Sequence, residues 1–444
     1  MAWYNTDNLE LLYAPHKRDW RAEAFKKIKK VAIDVAKRSA VFRKASRRIL
    51  LDERMGGYQK RTAHIATDPK VVLFSTFDGR GYSDSPKAIY EYMCSDPRFA
   101  DYTFVWAFRE PKKFTYVLDH PNTYMVTVNT PAYEEACARA KYWFFNYRIA
   151  DHIYPKVYVQ LWHGTPLKRL GYDISISDNA MNSKEEIRQK YKVDAEKFKY
   201  ILAPSAFAAE KFISAWNLQA VGKADTVLEA GYPRNDFLIN HTPEDEAQIK
   251  RELGLPMDKK VILYAPTWRD NQHDAKLGYV YRTHMDFDAL RREFGDDYVI
   301  LFRAHYLVAN SFDFKKYKGF VYDACGVTDI NRLYVVADVL ITDYSSVFFD
   351  YANLHRPMLF YMYDLASYAG EIRGFYIDLD CLPGPIVETQ ADLHRVLHAV
   401  EADKSRYAEK YAAFNARFNY LDDGHAAQRV VERVVLDRDG ANVV

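Results

Sequence analysis

Cysteine is scarce in this chain: Cys94, Cys137, Cys325 and Cys381 are scattered, with no CxxC pair and no Cys/His ligand spacing. That pattern argues against a disulfide framework and a structural zinc site, and a reducing cytoplasm is the simplest home. Long hydrophobic runs are lacking too. No stretch approaches the roughly 18 apolar residues of a spanning helix, and the first fifteen residues carry Asp7 and Glu10 where a signal peptide would be apolar. The expectation is a protein neither led by a signal peptide nor embedded in a bilayer. Two nucleotide-binding devices are also missing. There is no GxxxxGK(S/T) loop, which argues against a P-loop nucleoside triphosphatase. Gly79-Arg80-Gly81 lacks a third glycine at Rossmann spacing, which weakens a nicotinamide or flavin reading.

What the chain does have is length, apolar material and an uneven charge. Its 444 residues, 49% of them apolar, favour two or three domains with large cores. Net charge is only +2, yet Lys17 to Arg48 holds 13 Lys and Arg against Asp19, Glu23 and Asp34. Within that stretch Phe25, Ile28, Ala32, Val35, Phe42 and Ile49 recur at helical spacing among lysines and arginines, which predicts a basic amphipathic helix. Such a helix can lie on an anionic bilayer, each Lys or Arg near the surface contributing on the order of 1 kcal/mol, or can pack on the protein with a solvated basic face. No nucleic acid partner is expected, because the basic run has no interleaved aromatics and the rest of the chain is acidic.

Beyond this segment, strand-like runs alternate with helical patterns: Val71 to Phe77, Tyr102 to Phe108, Tyr142 to Asn146, Val157 to Trp162, Tyr200 to Ala203 and Thr226 to Ala230. A second series follows at Val261, Tyr298, Asp338 and Pro357 to Tyr361, and from Gln390 onward the pattern is mainly helical. Alternation of this kind predicts an α/β fold built of βα units on parallel sheets. The polar, Pro-containing stretch between Asn235 and Lys260 reads as a boundary. The expected organisation is a basic amphipathic segment (1–62), an N-terminal Rossmann-like domain (63–240) and a C-terminal one (241–444).

Four polar clusters stand where strands should end: WHGTPLK after VYVQL, APTWRD after VILY, RAH after YVILF, and TDYSSVFFD after DVLI. In open α/β sheets ligands bind beyond the carboxyl ends of the strands, so these clusters can share one cleft. Ser345 and Ser346 open a helix, where backbone N–H groups and hydroxyls suit a phosphate, although an N-cap role is the ordinary alternative. Asp350 lies one turn further on, and Asp343 is expected to order the turn. His163, exposed by the turn at Gly164-Thr165, is a candidate general base, the competing role being a hydrogen-bonded structural histidine. Arg303 and His305 together favour a pyrophosphate, since Arg can donate a bidentate pair to phosphate oxygens. Thr267, Trp268 and Arg269 follow Pro266, and Arg234 sits in GYPRND; both turns can face the cleft. Arg373 and Lys168 are further candidates. Asp378-Leu379-Asp380 is a lone DxD that reads as a chance pair of acids, so no metal site is expected.

Taken together, GRGYSDSPKAIYEY (79–92), WHGTPLK (162–168), GYPRND (231–236), YAPTWRD (264–270), FRAH (302–305), TDYSSVFFDYANLHRP (342–357) and RGFY (373–376) resemble the CDP-glycerol glycerophosphotransferases of teichoic acid synthesis. That group includes ribitol-phosphate transferases and capsule polymerases. The resemblance implies a GT-B-like fold of two Rossmann-like domains facing a cleft, with no metal or other cofactor. It also implies an amphipathic N-terminal region peripheral to the cytoplasmic face of the membrane. By the same resemblance His163 is the base or a transition-state partner and His305 a second essential histidine. Gly164, Thr165, Pro166, Arg234, Pro266, Thr267, Arg303, Ser345, Ser346 and Asp350 match donor-contacting positions. Tyr306 stands where many relatives carry Pro. The implied reaction is transfer of glycerol phosphate from CDP-glycerol to a hydroxyl of a lipid-linked polyol-phosphate or saccharide acceptor, releasing CMP. CDP-ribitol, or a nucleotide sugar in a glycosyl transfer, is the alternative donor.

Overall fold

Continuous runs of β-branched and aromatic residues become strands buried on both faces, the pattern expected where helices cover a parallel sheet. The computed structural model describes residues 3–13, 40–174, 183–267, 273–274, 278–279, 284–304, 312–365, 374–400 and 402–436. By packing, the chain forms two units that are discontinuous in sequence. The first comprises Met1–Gly81, Met93–Gln160 and Lys197–Lys199; the second comprises Tyr82–Tyr92, Leu161–Glu196 and Tyr200–Val444.

In the first unit the parallel strands β1 (Asp68–Ser75), β2 (Thr103–Phe108), β3 (Thr123–Thr127), β4 (Ala140–Phe145) and β5 (Val157–Gln160) lie in the order β3-β2-β1-β4-β5. Phe74 stacks between Trp106 at 5.3 Å and Phe144 at 5.7 Å, so each of the three central strands contributes an aromatic ring to one layer. Most of the predicted basic helix lies outside the described residues. From Ala40 a helix runs unbroken to Thr62, through Gly56 and Gly57. Two glycines cost about 2 kcal/mol there relative to alanine, which the burial of Tyr58 and the Arg61–Glu134 pair, with Nη2 to Oε1 at 2.8 Å, help to offset. Ile49, placed on the apolar stripe by its spacing, is exposed.

The second unit holds the parallel pair β6 (Tyr200–Ala203) and β7 (Val227–Glu229) and a six-stranded parallel sheet. That sheet comprises β8 (Lys260–Ala265), β11 (Tyr298–Phe302), β12 (Val321–Asp323), β13 (Val339–Thr342), β14 (Met358–Tyr361) and β15 (Ile386–Val387). A small antiparallel ladder, β9 (His273–Asp274) with β10 (Gly278–Tyr279), falls between β8 and β11 in sequence. The sheet order is β12-β11-β8-β13-β14-β15. Alternate residues feed two cores: Val261, Leu263, Val299, Leu301 and Leu340 face one side, and Ile262, Tyr264, Ile300, Phe302 and Ile341 the other. From β8 the chain first builds outward to β11 and β12, then returns to β13 on the opposite flank. The gap between the carboxyl ends of β8 and β13 is therefore a topological switch point, where open α/β sheets bind ligands.

The polar stretch after Asn235 folds within this unit as the helix Pro243–Glu252, opened by Thr242 and Asp245 bonding reciprocally in a capping box. The helices Gln390–Ala399, Ala408–Phe418 and Ala426–Val434 bear out the helical C-terminal pattern. Phe414 and Phe418 lock the second of them onto Phe349, at 5.3 and 5.1 Å between ring centres. Among the described residues no helix is long and apolar enough to cross a membrane. The expected α/β fold with two parallel sheets is present.

Candidate functional site

Every described candidate residue belongs to the second unit. Register places three of the polar clusters side by side, because β13 pairs with β8 up to Thr342 and Ala265, and β8 pairs with β11 up to Tyr264 and Phe302. Side chains then tie the strand ends together. Thr342 Oγ1 donates to the Ala265 carbonyl at 2.8 Å, and Asp343 Oδ1 accepts from the Thr267 N–H at 2.7 Å. Asp343 thus orders the turn, as its place in the sequence suggested, and the Pro266-Thr267 and Ser345-Ser346 turns sit at the switch point. Ser346 is the N-cap residue of the helix Val347–Tyr351, but its hydroxyl makes no capping bond.

The WHGTP turn, Trp162 to Pro166, comes to the same place within the second unit. Trp162 adopts a left-handed φ of 49°, stabilised by an edge contact of its ring with Trp216 at 4.8 Å. This bend leaves His163 exposed beside the Trp162 ring, at 4.2 Å, while Gly164, Thr165 and Pro166 are buried. The backbone at Gly164 is closely approached: a Cβ there would stand 3.1 Å from Ser346 Oγ and 3.9 Å from Arg234 Nη2. Three clusters distant in sequence meet at this one α-carbon. Further along, the Arg169 N–H donates to the Gly374 carbonyl at 3.0 Å and the Tyr376 N–H to the Leu167 carbonyl at 2.8 Å, so the WHGTPLK and RGFY strings run together.

Arg234 is the charged hub. Its side chain is only 5% exposed; Nη1 donates to Asp84 Oδ2 at 3.1 Å, and Nη2 to both oxygens of Asp350, at 3.0 and 2.9 Å. The Tyr232 ring lies 4.4 Å from the guanidinium carbon. Burial works against the charge, but Asp350 and Asp84 outweigh it and hold Arg234 above its ordinary range. Burial likewise raises Asp350 above the usual carboxylate range, opposed by Arg234. Asn235 Nδ2 donates to Asp350 Oδ1 at 3.1 Å and to Asp422 Oδ2 at 2.7 Å. In a buried ion cluster of this kind, removing one partner of a pair costs about 3–5 kcal/mol, because it leaves a charge uncompensated.

Arg303 lies at the β11 end, where its Nη1 donates to the carbonyls of Ala324 at 2.7 Å, Cys325 at 3.1 Å and Val327. It anchors the loop after β12, and burial lowers its pKa. His305, Arg269 and Arg373 fall outside the described residues. Asp378 is spent on its own turn, accepting from the Asp380 N–H at 3.1 Å. Among the described residues, no group of three or more His, Cys, Asp or Glu side chains could hold a metal ion. Asp84, Asn235 and Asp422 were not singled out from the sequence. Asp84 lay inside the string GRGYSDSPKAIYEY, whose acidic residue at a helix start was the available signal; Asp422 carried none.

A family model described as CDP-Glycerol:Poly(glycerophosphate) glycerophosphotransferase matches residues 58–436. The teichoic acid glycerol-phosphate transferase of Staphylococcus aureus is 38% identical over 82% of this chain and 92% of its own length. The teichoic acid poly(glycerol phosphate) polymerase of Staphylococcus epidermidis is 38% identical over 83% of this chain, which spans about half, 51%, of that relative. The solved structure of the wall teichoic acid polymerase TagF superimposes with a TM-score of 0.79 at 36% identity, covering 89% of this chain and 97% of that one. A His-to-Asn variant of TagF soaked with CDPG gives the same TM-score.

Proposed function

We propose that this chain, which belongs to the CDP-glycerol:poly(glycerophosphate) glycerophosphotransferase family, transfers glycerol phosphate from CDP-glycerol to a terminal hydroxyl of a polyol-phosphate acceptor and releases CMP. The observation that carries the reading is the meeting of Gly164, Ser346 and Arg234 at the switch-point end of the β8–β13 sheet. In this reaction the acceptor oxygen attacks the phosphorus that bears glycerol. The bond from that phosphorus to the bridging oxygen breaks, and the departing CMP carries the electron pair. His163, exposed on its turn, takes the acceptor's proton. Hydroxyls of Ser345 and Ser346 and the backbone N–H groups of their turn bind phosphate oxygens, with Thr165, Pro166, Pro266 and Thr267 shaping the wall. Arg303, Arg269, Arg373 and His305 supply positive charge as it builds on the leaving phosphate; positioning and fixed charge are the main sources of rate in phosphoryl transfer.

The acceptor is a lipid-linked chain, and the basic segment Lys17 to Arg48 brings the enzyme to the anionic cytoplasmic face of the membrane. The first 62 residues act in this attachment, 63–240 serve the acceptor while lending Gly164 to Pro166 and Arg234 to the donor phosphates, and 241–444 serve the donor. The decisive assay compares CMP release from CDP-glycerol with release from CDP-ribitol, and UDP from UDP-sugars, using a defined lipid-linked acceptor. Preference for CDP-ribitol or a nucleotide sugar overturns the choice of donor. His163→Ala is expected to abolish nearly all CMP release while calorimetry still detects CDP-glycerol binding; full activity would remove His163 from the reaction. Deleting residues 1–50 is expected to end binding to vesicles that contain anionic lipid, and unchanged binding would exclude the basic segment as the anchor.

A further inference from the structure

We propose that Asp422 is a positioning residue for this transfer, acting through Asn235 and Asp350 to set Arg234 beside Gly164; the proposal rests on the reading just given. Asp422 is buried in the turn between the helices Ala408–Phe418 and Ala426–Val434. Its Oδ1 accepts from the Tyr232 backbone N–H at 2.8 Å. Its Oδ2 accepts from Nδ2 of Asn235 at 2.7 Å and Nδ2 of Asn353 at 3.0 Å. Both amides are shared with Asp350: Asn235 reaches Oδ1 and Asn353 the main-chain carbonyl, each at 3.1 Å. Asp350 in turn grips Arg234 Nη2. The C-terminal turn is therefore joined to the guanidinium by buried hydrogen bonds no longer than 3.1 Å, with no mobile surface group among them.

Packing independent of this chain of bonds supports it. Gly231 has φ +76°, and a Cβ there would stand 2.5 Å from the Leu421 carbonyl and 3.0 Å from Asp422 Oδ1. The GYPRND turn and the 421–422 backbone are thus pressed together at a position only glycine fits. Two clamps flank the contact. Asp236 accepts from the N–H groups of Ala426 and Ala427 at 2.9 and 2.8 Å, and Arg429 Nε donates to the Ala230 carbonyl at 3.1 Å. Asp422 itself bonds to none of Gly164, Ser346 or His163, so it influences the reaction only through the residues it orients.

The test uses the full chain. Asp422→Asn keeps the volume but cannot accept from three N–H donors, and its crystal structure is expected to find the Arg234 guanidinium moved off Asp350. CMP release from CDP-glycerol should then fall by up to about a hundredfold in kcat/KM, the scale of a misplacement of about 1 Å. Asn235→Ala should fall by a similar factor, and the double variant no further, because both cut one link. Asp236→Asn, which weakens the neighbouring clamp alone, should lower Tm and leave kcat/KM unchanged at low temperature. An unmoved Arg234, losses that multiply in the double variant, or an equal loss in Asp236→Asn would overturn the proposal. Should Asp422→Asn not fold, Asn353→Ala, which removes one of the same bonds, is expected to shift Arg234 in the same direction; an unmoved guanidinium there overturns it equally. A wild-type chain that releases no CMP refutes the donor reading, and the position of Arg234 in the variant structure still decides the positioning role.

Discussion

Arg234 and Arg303 are both buried arginines in one unit, yet they are stabilised in opposite ways. Arg234 is held by two carboxylates, which more than cancel its charge and keep it ionised above its ordinary range. The Arg303 side chain donates to backbone carbonyls, and burial draws its pKa down against the opposing pull of Cys325, Tyr334, Asp323 and Asp329. Carbonyl dipoles solvate a cation without neutralising it. The two arginines thus differ in what surrounds them, carboxylates for Arg234 and carbonyls for Arg303, although in sequence both look like anion binders.

The sharpest way to break this comparison is Arg234→Met. It leaves Asp84 and Asp350 buried without their cation, and a loss of about 3–5 kcal/mol in chemical denaturation is expected. Arg303→Met removes a donor to three carbonyls but strands no carboxylate, so a smaller loss of about 1–3 kcal/mol is expected, together with a raised KM for the donor. Equal losses from the two substitutions would refute the distinction.

A smaller effect concerns pH. Burial pushes Asp422 up to about 7, and Tyr232, Asn235, Asn353 and Asp350 are the groups that face it. Its ordinary value is near 4, so the folded state holds a proton that the unfolded state has released between about pH 4 and 7. The sign follows: this carboxyl favours the fold fully below about pH 4, and its contribution is lost as pH rises to about 7. Asp236, pushed up to about 6 by burial, acts in the same direction. Urea titrations from pH 4 to 7.5 should find stability falling less steeply in Asp422→Asn than in wild type; an identical slope would remove Asp422 as the source.

Much of the architecture was legible because buried parallel strands are written as uninterrupted apolar runs: Tyr200 to Ala203 coincides with β6, and Val261 and Tyr298 mark β8 and β11. The strands that escaped, β3, β9, β10, β12 and β15, are edge strands or short, with TYMVT and VYD mixing polar and apolar residues. The ends of β5, β8 and β13 were legible too, since Gly, Pro, Thr or Ser follow each of them, whereas Arg303 follows β11. The Arg234 partners were not. Asp84 is the first residue of its own helix, and Asp422 sits in a polar turn, where an acid is ordinarily solvated; only tertiary packing buries them.

Asp84 and Asp422 lie more than three hundred residues apart, and Arg234 stands between them in the chain. A ribosome reading from the first codon therefore exposes the arginine long before its last support has been synthesised. Closing such distant contacts is slow. Asp84 and Asp350, the two carboxylates that neutralise the arginine, are both made before Asp422, but the hydrogen-bond network that orients them stays open until the turn after Phe418 emerges, the interval in which chaperones would have most to protect.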